Sequence, residues 1–336
     1  MQNSFFMQQA IEEALKADPN KVYPNPLVGC VIVKNEKIIG RGYHKKFATN
    51  HAEVNAIKSL EAPVKNADLY VTLEPCAHFG KNPPCVNAII KSKMFKKVVI
   101  AVADPNKKAM GGIEELKKAG IEVVLGDREK EAKKINQRFF TFFQKERPYV
   151  ILKYARTQDG FIARLDGSSK WITEKDARRD VHLTRSGCDA ILVGRNTIER
   201  DNPSLDSHGL GKDPRIVIFS SKPLLPTLNV SKKNPLIFQK FNQKLPENNI
   251  KIVLDNLFKE NVQSLLVEGG EKTITSFINS GYYDEIHEYV SPKKFNQGIP
   301  FFGGDFEKIR SSLELVSEIS FSKDIRKTYK KKCLQD

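Results

Sequence analysis

The chain has 336 residues, of which 40% are hydrophobic, so it is long enough for two domains and too apolar for a disordered chain. Its 55 Lys and Arg residues against 40 Asp and Glu residues give a net charge of +15. The basic residues recur in short groups without a single long block, which favours a solvated surface over a nucleic-acid-binding segment.

Neither a membrane span nor a secretory signal is expected. No apolar run approaches the roughly 20 residues that a transmembrane helix needs, and the N-terminus lacks a basic segment followed by an apolar stretch. The number of cysteines is odd and small for this length, which does not suggest a disulfide framework. They are Cys30, Cys76, Cys85, Cys188 and Cys333. A cytoplasmic location is therefore expected.

The first part of the chain alternates predicted helices with predicted strands. Apolar residues recur every three to four positions in the helices, whereas the strands are short apolar runs bounded by turn residues. In chain order the pattern predicts a helix at 6–17, strands at 28–33 and 37–42, a helix at 52–60, a strand at 68–73, a helix at 85–92, a strand at 97–102, a helix at 113–119, a strand at 121–125 and a helix at 129–145. This alternation predicts a layered α/β domain over residues 1–146.

The segment Glu146-Arg147-Pro148 is the predicted linker to a second α/β domain at 149–336. The predicted strands of that domain lie at 149–154, 190–193, 215–219, 250–253, 264–267 and 285–290. The stretch 222–249 is rich in Pro, Asn and Lys and is expected to be irregular surface.

His51, Cys76 and Cys85 are the candidate metal ligands of the first domain. One imidazole and two thiolates can hold Zn²⁺ with the fourth position open to water, as catalytic rather than structural zinc sites do. Glu53, two residues after His51, can move the proton of that water. The pattern therefore predicts a zinc-dependent hydrolytic deaminase.

Two of these ligands are expected at helix starts. His51 precedes a predicted helix, and Pro75 predicts that Cys76 opens another helix, whose N-terminus would stabilise a thiolate. The alternatives are a structural zinc site, or two buried thiols with an unrelated histidine. His44 and His78 are interpreted as non-ligands that could contact substrate.

Three segments of the first domain carry a resemblance to a known family. They are Pro24-Asn25-Pro26-Leu27-Val28-Gly29-Cys30, His51-Ala52-Glu53, and Thr72-Leu73-Glu74-Pro75-Cys76-Ala77-His78-Phe79-Gly80-Lys81-Asn82-Pro83-Pro84-Cys85. They resemble the bifunctional deaminase–reductases of riboflavin biosynthesis. Cytidine and tRNA adenosine deaminases usually have P-C-x-x-C, whereas eight residues separate Cys76 from Cys85 here.

The resemblance implies a cytidine-deaminase-like α/β/α fold for residues 1–146, acting as a zinc-dependent pyrimidine deaminase domain. It implies Zn²⁺ on His51, Cys76 and Cys85, with Glu53 as the catalytic proton shuttle. It also implies that Asn25 and the loop 78–82, including His78, lie near the pyrimidine and its ribose phosphate.

In the second domain, Val267-Glu268-Gly269-Gly270 joins a predicted strand to a predicted helix. Such a turn can bring backbone N–H groups to a phosphate, although by itself it is often only a turn. Other segments of this domain resemble the reductase half of the same family. Examples are Leu152-Lys153-Tyr154-Ala155, Trp171-Ile172-Thr173, Leu183-Thr184-Arg185 and Gly194-Arg195-Asn196-Thr197.

This second resemblance implies a dihydrofolate-reductase-like α/β fold and an NADPH-dependent reductase over residues 149–336. The residues that it implies near NADPH are Ala155, Trp171, Thr197, Asp201, Ser220, Gly270, Glu271, Lys272, Thr273, Ile274, Thr275 and Ser276. Those that it implies near substrate are Lys153, Ser169, Arg185, Leu205, His208 and Glu268. His208 stands where the family commonly has an arginine.

The expected function is therefore a two-step riboflavin biosynthesis enzyme with Zn²⁺ and NADPH as cofactors. Its substrate would be a small phosphoribosylaminopyrimidine, with no nucleic acid or membrane partner, and the family resemblance suggests a homo-oligomer. Two alternatives are a zinc deaminase whose second domain is not catalytic, and an RNA-binding or RNA-editing deaminase, which the +15 charge motivates.

Overall fold

The computed structural model describes residues 2–220, 222–238 and 246–332. The chain separates into an N-terminal unit, Met1–Lys145, and a C-terminal unit, Glu146–Asp336. Within the described ranges, no helix combines the length and the apolar composition that crossing a membrane requires. Cys333 lies outside the described residues, as does the part of the predicted irregular segment at 239–245.

A five-stranded sheet with the strand order β2-β1-β3-β4-β5 forms the centre of the N-terminal unit. Its strands are β1 (Gly29–Lys34), β2 (Lys37–Tyr43), β3 (Ala67–Val71), β4 (Phe95–Ile100) and β5 (Glu122–Leu125). The helices are α1 (Gln2–Ala14), α2 (Pro19–Val22), α3 (Ala52–Lys58), α4 (Cys85–Ser92), α5 (Gly112–Lys118), α6 (Glu129–Ile135) and α7 (Gln137–Lys145).

Helices cover both faces of this sheet because successive strand residues point to opposite sides. On one face, Val31 packs in a core that includes residues of α1, α6 and α7. On the other face, Ile32 packs in a core with residues of α3, α4 and α5, among them Ala56 and Ile89. The second core fixes α3 and α4 on the same side of the sheet.

An eight-stranded sheet forms the centre of the C-terminal unit, with the order β10-β9-β8-β11-β6-β12-β15-β14. Its strands are β6 (Tyr149–Thr157), β8 (Ala190–Gly194), β9 (Arg215–Phe219), β10 (Leu236–Phe238), β11 (Ser264–Glu268), β12 (Glu285–Ser291), β14 (Leu313–Phe321) and β15 (Asp324–Lys331), while β7 (Phe161–Ala163) and β13 (Ile299–Pro300) form a separate pair. The helices are α8 (Lys175–Ser186), α9 (Arg195–Asp201), α10 (Pro246–Lys259), α11 (Glu271–Ser280) and α12 (Phe306–Arg310), with a 3-10 helix at Asn229–Lys233.

The strands from β10 to β12 pair in parallel, and β15 and β14 continue the sheet in antiparallel orientation. Parallel strands place their carboxyl ends at one edge of the sheet, which is where open α/β sheets bind ligands. The segments that follow β8, β9 and β11 therefore meet at this edge.

The predicted strand at 250–253 is wrong, because these residues lie within α10. Ile250, Val253, Leu254 and Leu257 are buried in one core cluster. Their spacing of three and four residues is the helical period, which the β-branched residues in this short run concealed. Tertiary burial of one helical face decides the structure here.

Two predicted helices have different boundaries. The N-terminal helix begins at Gln2 and ends at Ala14, not at residue 17. The predicted helix at 129–145 is two helices, α6 and α7, interrupted at Asn136. The Asn136 side chain accepts a hydrogen bond from Leu27 N and donates one to Leu27 O, each at 2.8 Å. This pair of bonds ties the break between the helices to the loop that carries Asn25.

Arg147, within the predicted linker, is buried in an ion pair of the C-terminal unit. Its Nη1 and Nη2 atoms donate to Asp284 Oδ2 and Oδ1 at 2.6 and 2.8 Å. Asp284 Oδ2 also accepts a hydrogen bond from Val150 N at 2.9 Å. The pair therefore fixes the start of β6 against the segment before β12.

Asp284→Ala removes this carboxylate, and Arg147 loses both of its hydrogen bonds to it. Because a buried charge then lacks its counter-ion, we expect the free energy of unfolding of the C-terminal unit to fall by about 3–5 kcal/mol. Guanidinium denaturation followed by the fluorescence of Trp171, the only tryptophan in the chain, measures this loss. Asp255→Ala is the control, since it breaks the exposed Lys251–Asp255 pair of α10 and should cost less than about 1 kcal/mol. Equal losses would contradict this reading.

Candidate functional site

His51, Cys76 and Cys85 converge on one point of the N-terminal unit. Their ligand atoms all lie within 4.8 Å of one another. His51 Nδ1 is 3.2 Å from Cys85 Sγ and 3.6 Å from Cys76 Sγ. Within the described parts of the chain, no other group of three or more His, Cys, Asp or Glu side chains comes together in this way. One imidazole nitrogen and two sulfurs are a donor set that suits Zn²⁺.

Helix starts present two of the three ligands. His51 is the N-cap residue of α3 in an extended conformation, and its side chain makes no capping hydrogen bond. Cys85 is the first residue of α4, with Pro84 as the N-cap. The prediction that Cys76 opens a helix is wrong, because Cys76 lies in the irregular segment between β3 and α4. The dipeptide at the helix start is Pro84-Cys85 rather than Pro75-Cys76.

The two thiols have opposite pKa shifts. Hydrogen bonding from Cys85 and from His51 lowers the pKa of Cys76. The neighbouring Cys76 and burial raise the pKa of Cys85. Cys85 N also donates to Cys76 Sγ at 3.4 Å. Cys76 therefore accepts hydrogen bonds as the more acidic of the two thiols. A bound divalent cation would favour loss of the Cys85 proton as well.

Glu53 lies in the first turn of α3 and is only 3% exposed. Burial, opposed by the nearby His51, raises the pKa of Glu53 to about 7. A carboxyl group with this pKa can both accept and return a proton near neutral pH. The fold therefore places a carboxyl group that could carry a proton close to His51, Cys76 and Cys85.

Asn25 and His44 form a hydrogen-bonded pair next to the ligands. His44 is buried, and this burial lowers the pKa of its ring. Its Nδ1 faces Asn50 O at 3.1 Å and its Nε2 faces Asn25 Nδ2 at 3.1 Å. A neutral ring that donates from Nδ1 accepts from Asn25 at Nε2, which fixes the orientation of the Asn25 amide.

The segment between the two cysteines is anchored to the loop before His51. Asn82 Nδ2 donates to Thr49 O at 2.8 Å, and Lys81 Nζ lies 4.7 Å from the centre of the Phe47 ring. His78 is exposed at the start of this segment. The segment therefore lies beside the ligands as a surface loop, with polar and cationic groups.

Sequence reasoning did not identify the roles of His44 and Asn136 in this site. His44 orients Asn25, and Asn136 holds the backbone of Leu27 from 109 positions away. A single histidine or asparagine carries no local signal of such contacts. Of the two, only His44 is predicted from the sequence as a residue that could contact substrate.

In the C-terminal unit, Arg185, Glu268 and Lys153 form a partly buried charge cluster. Arg185 Nε and Nη2 donate to Glu268 Oε1 and Oε2 at 2.8 and 3.0 Å. Lys153 Nζ lies 3.8 Å from Glu268 Oε2. Burial raises the pKa of Glu268, but the charges of Arg185 and Lys153 outweigh it and lower that pKa to about 2. Burial lowers the pKa of Lys153.

His208 lies beside this cluster, where its ring stacks on that of His182 with 3.9 Å between centroids. His182 Nδ1 is 3.4 Å from Arg185 Nη1, which also donates to Asp206 O at 3.2 Å. Leu205 is buried near the same turn, whereas Ser169 is half-buried in the loop before α8. The structure therefore brings together Lys153, Arg185, His208 and Glu268, and adds His182.

Thr197 and residues 270–276 of the predicted cofactor set lie at two helix starts. Gly194 is the N-cap of α9 and Gly270 is the N-cap of α11. A Cβ atom at Gly194 would lie 2.7 Å from Thr273 Oγ1, and one at Gly270 would lie 3.7 Å from Thr197 Oγ1. The two N-termini are therefore adjacent, at the carboxyl ends of β8 and β11, where their dipoles favour an anion.

The remaining predicted cofactor residues occupy different surroundings. Ser220 is buried directly after β9, and Asp201 ends α9. Trp171 is 62% exposed, with the Arg178 guanidinium 4.4 Å from its ring centre. Ala155 of β6 packs against a small core formed by residues of α8 and β12. Within α11, the Glu271 carboxylate accepts a hydrogen bond from Thr275 Oγ1, and Ser276 Oγ donates one to Lys272 O. Ile274 packs in the hydrophobic core.

Two family models match the chain. Residues 1–102 match the cytidine and deoxycytidylate deaminase zinc-binding region. Residues 148–326 match the RibD C-terminal domain. The two matches fall in the N-terminal and C-terminal units respectively, and together they cover both candidate sites.

Relatives match over most of the chain. The riboflavin biosynthesis protein RibD of Aquifex aeolicus (strain VF5) is 40% identical over 331 residues, which are 92% of this chain and 92% of that protein. RibD of Escherichia coli (strain K12) is 32% identical over 326 residues, which are 87% of this chain and 88% of that protein.

Solved structures match at the level of the fold and the sequence. The diaminohydroxyphosphoribosylaminopyrimidine deaminase/5-amino-6-(5-phosphoribosylamino)uracil reductase of Thermotoga maritima has a TM-score of 0.82 and 35% identity, and covers 98% of this chain and 99% of that one. RibD of Acinetobacter baumannii has a TM-score of 0.85 and 36% identity, with the same coverage.

These matches confirm the predicted fold classes of both halves. The deaminase match includes His51, Glu53, Cys76 and Cys85, and the reductase match spans the charge cluster and both helix starts of the C-terminal unit. The chain therefore belongs to the RibD family of riboflavin biosynthesis proteins and carries a zinc-binding deaminase domain and a reductase domain.

Proposed function

We propose that the chain catalyses two consecutive reactions. The domain at 1–146 hydrolytically deaminates 2,5-diamino-6-(5-phosphoribosylamino)pyrimidin-4(3H)-one. The domain at 149–336 reduces the product, 5-amino-6-(5-phosphoribosylamino)uracil, to its ribitylamino form with NADPH. The observation that carries the first reaction is the convergence of His51, Cys76 and Cys85 beside buried Glu53.

In the deaminase domain, His51 Nδ1, Cys76 Sγ and Cys85 Sγ would hold Zn²⁺. The chemistry that bound Zn²⁺ supplies is activation of water as a nucleophile near neutral pH. Glu53 accepts the proton from that water and delivers it to the departing amino group, which leaves as ammonia. The raised pKa of Glu53, about 7, suits this return of the proton.

The proposed pyrimidine contacts are Asn25 and the loop 78–82. His44 holds the Asn25 amide through a 3.1 Å hydrogen bond, so the amide presents a fixed hydrogen-bonding edge to the ring. His78 and Lys81 supply imidazole and ammonium groups that can meet the ribose phosphate. The anchoring of Asn82 to Thr49 keeps this loop beside the ligands.

In the reductase domain, two cations and one carboxylate give the cluster a net positive charge that suits a phosphate. Lys153 and Arg185 would face the substrate, and Glu268 would hold Arg185 in place while accepting hydrogen bonds from sugar hydroxyls. The chemistry that NADPH supplies is hydride donation to C1′ of the opened sugar. Gly270 and Thr273 of α11, together with Thr197 of α9, would bind the cofactor phosphates.

The proposed partners follow from this chemistry. A small phosphoribosylaminopyrimidine is the substrate, and we propose neither a nucleic acid nor a membrane as a partner. We also propose that the chain forms a homo-oligomer and is located in the cytoplasm. Light scattering of the purified chain measures its state of assembly.

Glu53→Gln tests the role of Glu53 as the proton carrier. The amide cannot accept the proton from water, so we expect ammonia release to fall by about 10²–10⁴-fold. Zinc content and NADPH oxidation with the deaminated intermediate should stay at the wild-type level. Glu61→Gln, an exposed glutamate of the same unit, is the matched control and should change none of these rates. Wild-type ammonia release by Glu53→Gln would refute the assignment.

Removal of the metal tests whether deamination depends on Zn²⁺ while reduction in the C-terminal domain does not. Dialysis against a chelator should abolish ammonia release, because the three ligands would then hold no Zn²⁺, and added Zn²⁺ should restore it. NADPH oxidation with the deaminated intermediate should persist in the metal-free chain. A chain that never oxidises NADPH with this intermediate would instead be a deaminase with a non-catalytic second domain.

Arg185→Lys tests the charge cluster. Lysine cannot reproduce the two hydrogen bonds to Glu268, and a charged hydrogen bond is worth about 1.5–3 kcal/mol. We therefore expect kcat/KM for NADPH oxidation to fall by about 10–100-fold, with ammonia release unchanged. Arg179→Lys replaces an exposed arginine of α8 and should leave both rates unchanged. Equal effects of the two variants would exclude a role for the cluster.

A further inference from the structure

Glu74 is a buried carboxylate that neither catalytic proposal uses. It follows β3, stands two residues before Cys76, and is only 5% exposed. Its Oε1 atom accepts hydrogen bonds from Gly111 N at 3.0 Å and Ile113 N at 3.2 Å, and its Oε2 atom accepts one from Asp104 N at 3.1 Å. Three backbone donors on one buried carboxylate offset the free energy of burying its charge.

The segment that carries Glu74, 74–77, and the segment that carries its backbone donors, 102–113, also contact each other at other points. Glu74 N donates to Val102 O at 2.9 Å, and Ala77 N donates to Ala109 O at 3.1 Å. Gly112 lies so close to the turn that a Cβ atom there would be 1.9 Å from Pro75 O. The segment 74–77 is therefore held against the segment 102–113 on both sides of Cys76.

Cys76 needs such support more than the other two ligands do. His51 is the N-cap of α3 and Cys85 is the first residue of α4, so the two helices fix the backbones of these residues. Cys76 belongs to no helix or strand. Its Sγ atom lies 3.6 Å from His51 Nδ1 and accepts a hydrogen bond from Cys85 N, and its carbonyl oxygen accepts one from Val86 N, each of these two bonds being 3.4 Å long.

We propose that Glu74 is a positioning residue for the metal site, which sets where the Cys76 thiolate stands relative to His51 and Cys85. The inference rests on the proposed zinc site and adds a residue that does not touch the metal. Groups that orient metal ligands contribute about 10–100-fold to metal affinity. Glu74 acts through the backbone of Pro75 and Cys76, because its carboxylate bonds only to the segment 104–113 among the described residues.

Glu74→Gln in the full-length chain tests the proposal. The amide NH₂ group cannot accept a hydrogen bond, so at least one of the three backbone N–H groups loses its acceptor. We expect Zn²⁺ affinity, measured by competition with a chromophoric chelator, to fall by about 10–100-fold. The thiolate-to-cobalt absorption of the Co²⁺-loaded chain should shift, since the Cys76–metal geometry changes.

Glu13→Gln is the matched control within the same unit. Glu13 is also buried, at 3% exposure, and its carboxylate pairs with Lys16 at 2.6 Å and Arg41 at 3.1 Å, away from the ligands. Its loss should lower the thermal unfolding temperature without changing the Zn²⁺ affinity or the cobalt spectrum. NADPH oxidation serves as a check on the folding of the C-terminal unit in both variants.

Wild-type Zn²⁺ affinity and an unchanged cobalt spectrum in Glu74→Gln would overturn the proposal, whatever its thermal stability. If Glu74→Gln does not fold, the Zn²⁺ affinity of Glu74→Asp tests the proposal instead, because the shorter side chain keeps the charge but cannot reach all three donors. A loss of affinity then supports the proposal and wild-type affinity overturns it. A wild-type chain without thiolate-to-cobalt absorption would instead refute the zinc site itself.

Discussion

The packing of α3 and α4 on one face of the N-terminal sheet is the constraint on which the first site depends. The same helices supply core residues, such as Ala56 and Ile89, and ligands, His51 and Cys85. The 3.2 Å separation of His51 Nδ1 and Cys85 Sγ is thus a consequence of how the hydrophobic core packs. Core substitutions that shift either helix would move a ligand, because dense interiors transmit such displacements.

Three carboxylates, of which Glu53 and Glu74 are buried and Glu268 is partly buried, have different properties because their surroundings differ. Burial has the largest effect on the pKa of Glu53 and raises it to about 7, which suits the proton transfer proposed for this carboxyl group. The charges of Arg185 and Lys153 lower the pKa of Glu268 to about 2, so the Glu268 carboxylate stays ionised. Glu74 meets three backbone N–H groups and serves as an anchor for a loop. Burial alone therefore does not define a role; the partners do.

The sequence predicts what is encoded locally and misses what depends on distant contacts. The proposed zinc ligands, Glu53 and the strand-to-helix turn at Gly270 lie in short motifs whose residue types by themselves indicate a chemical function. The Glu74 anchor joins residues 30 to 39 positions apart, and the Arg185–Glu268 pair spans 83 positions. No local pattern in a single sequence reports such pairs. The error at 250–253 is different in kind, because the helical spacing is present in the sequence but the β-branched residues of this short run favour a strand.

Strand β11 links the two halves of the second site. It lies between β8 and β6 in the sheet, and its last residue, Glu268, pairs in register with Lys153 of β6. The next residues, Gly269 and Gly270, lead directly into α11, whose N-terminus adjoins that of α9. The groups proposed for substrate and those proposed for cofactor are therefore consecutive on one strand end. A displacement of β11 would change both sets together, so in the proposed reductase this one strand would align the hydride donor with the acceptor.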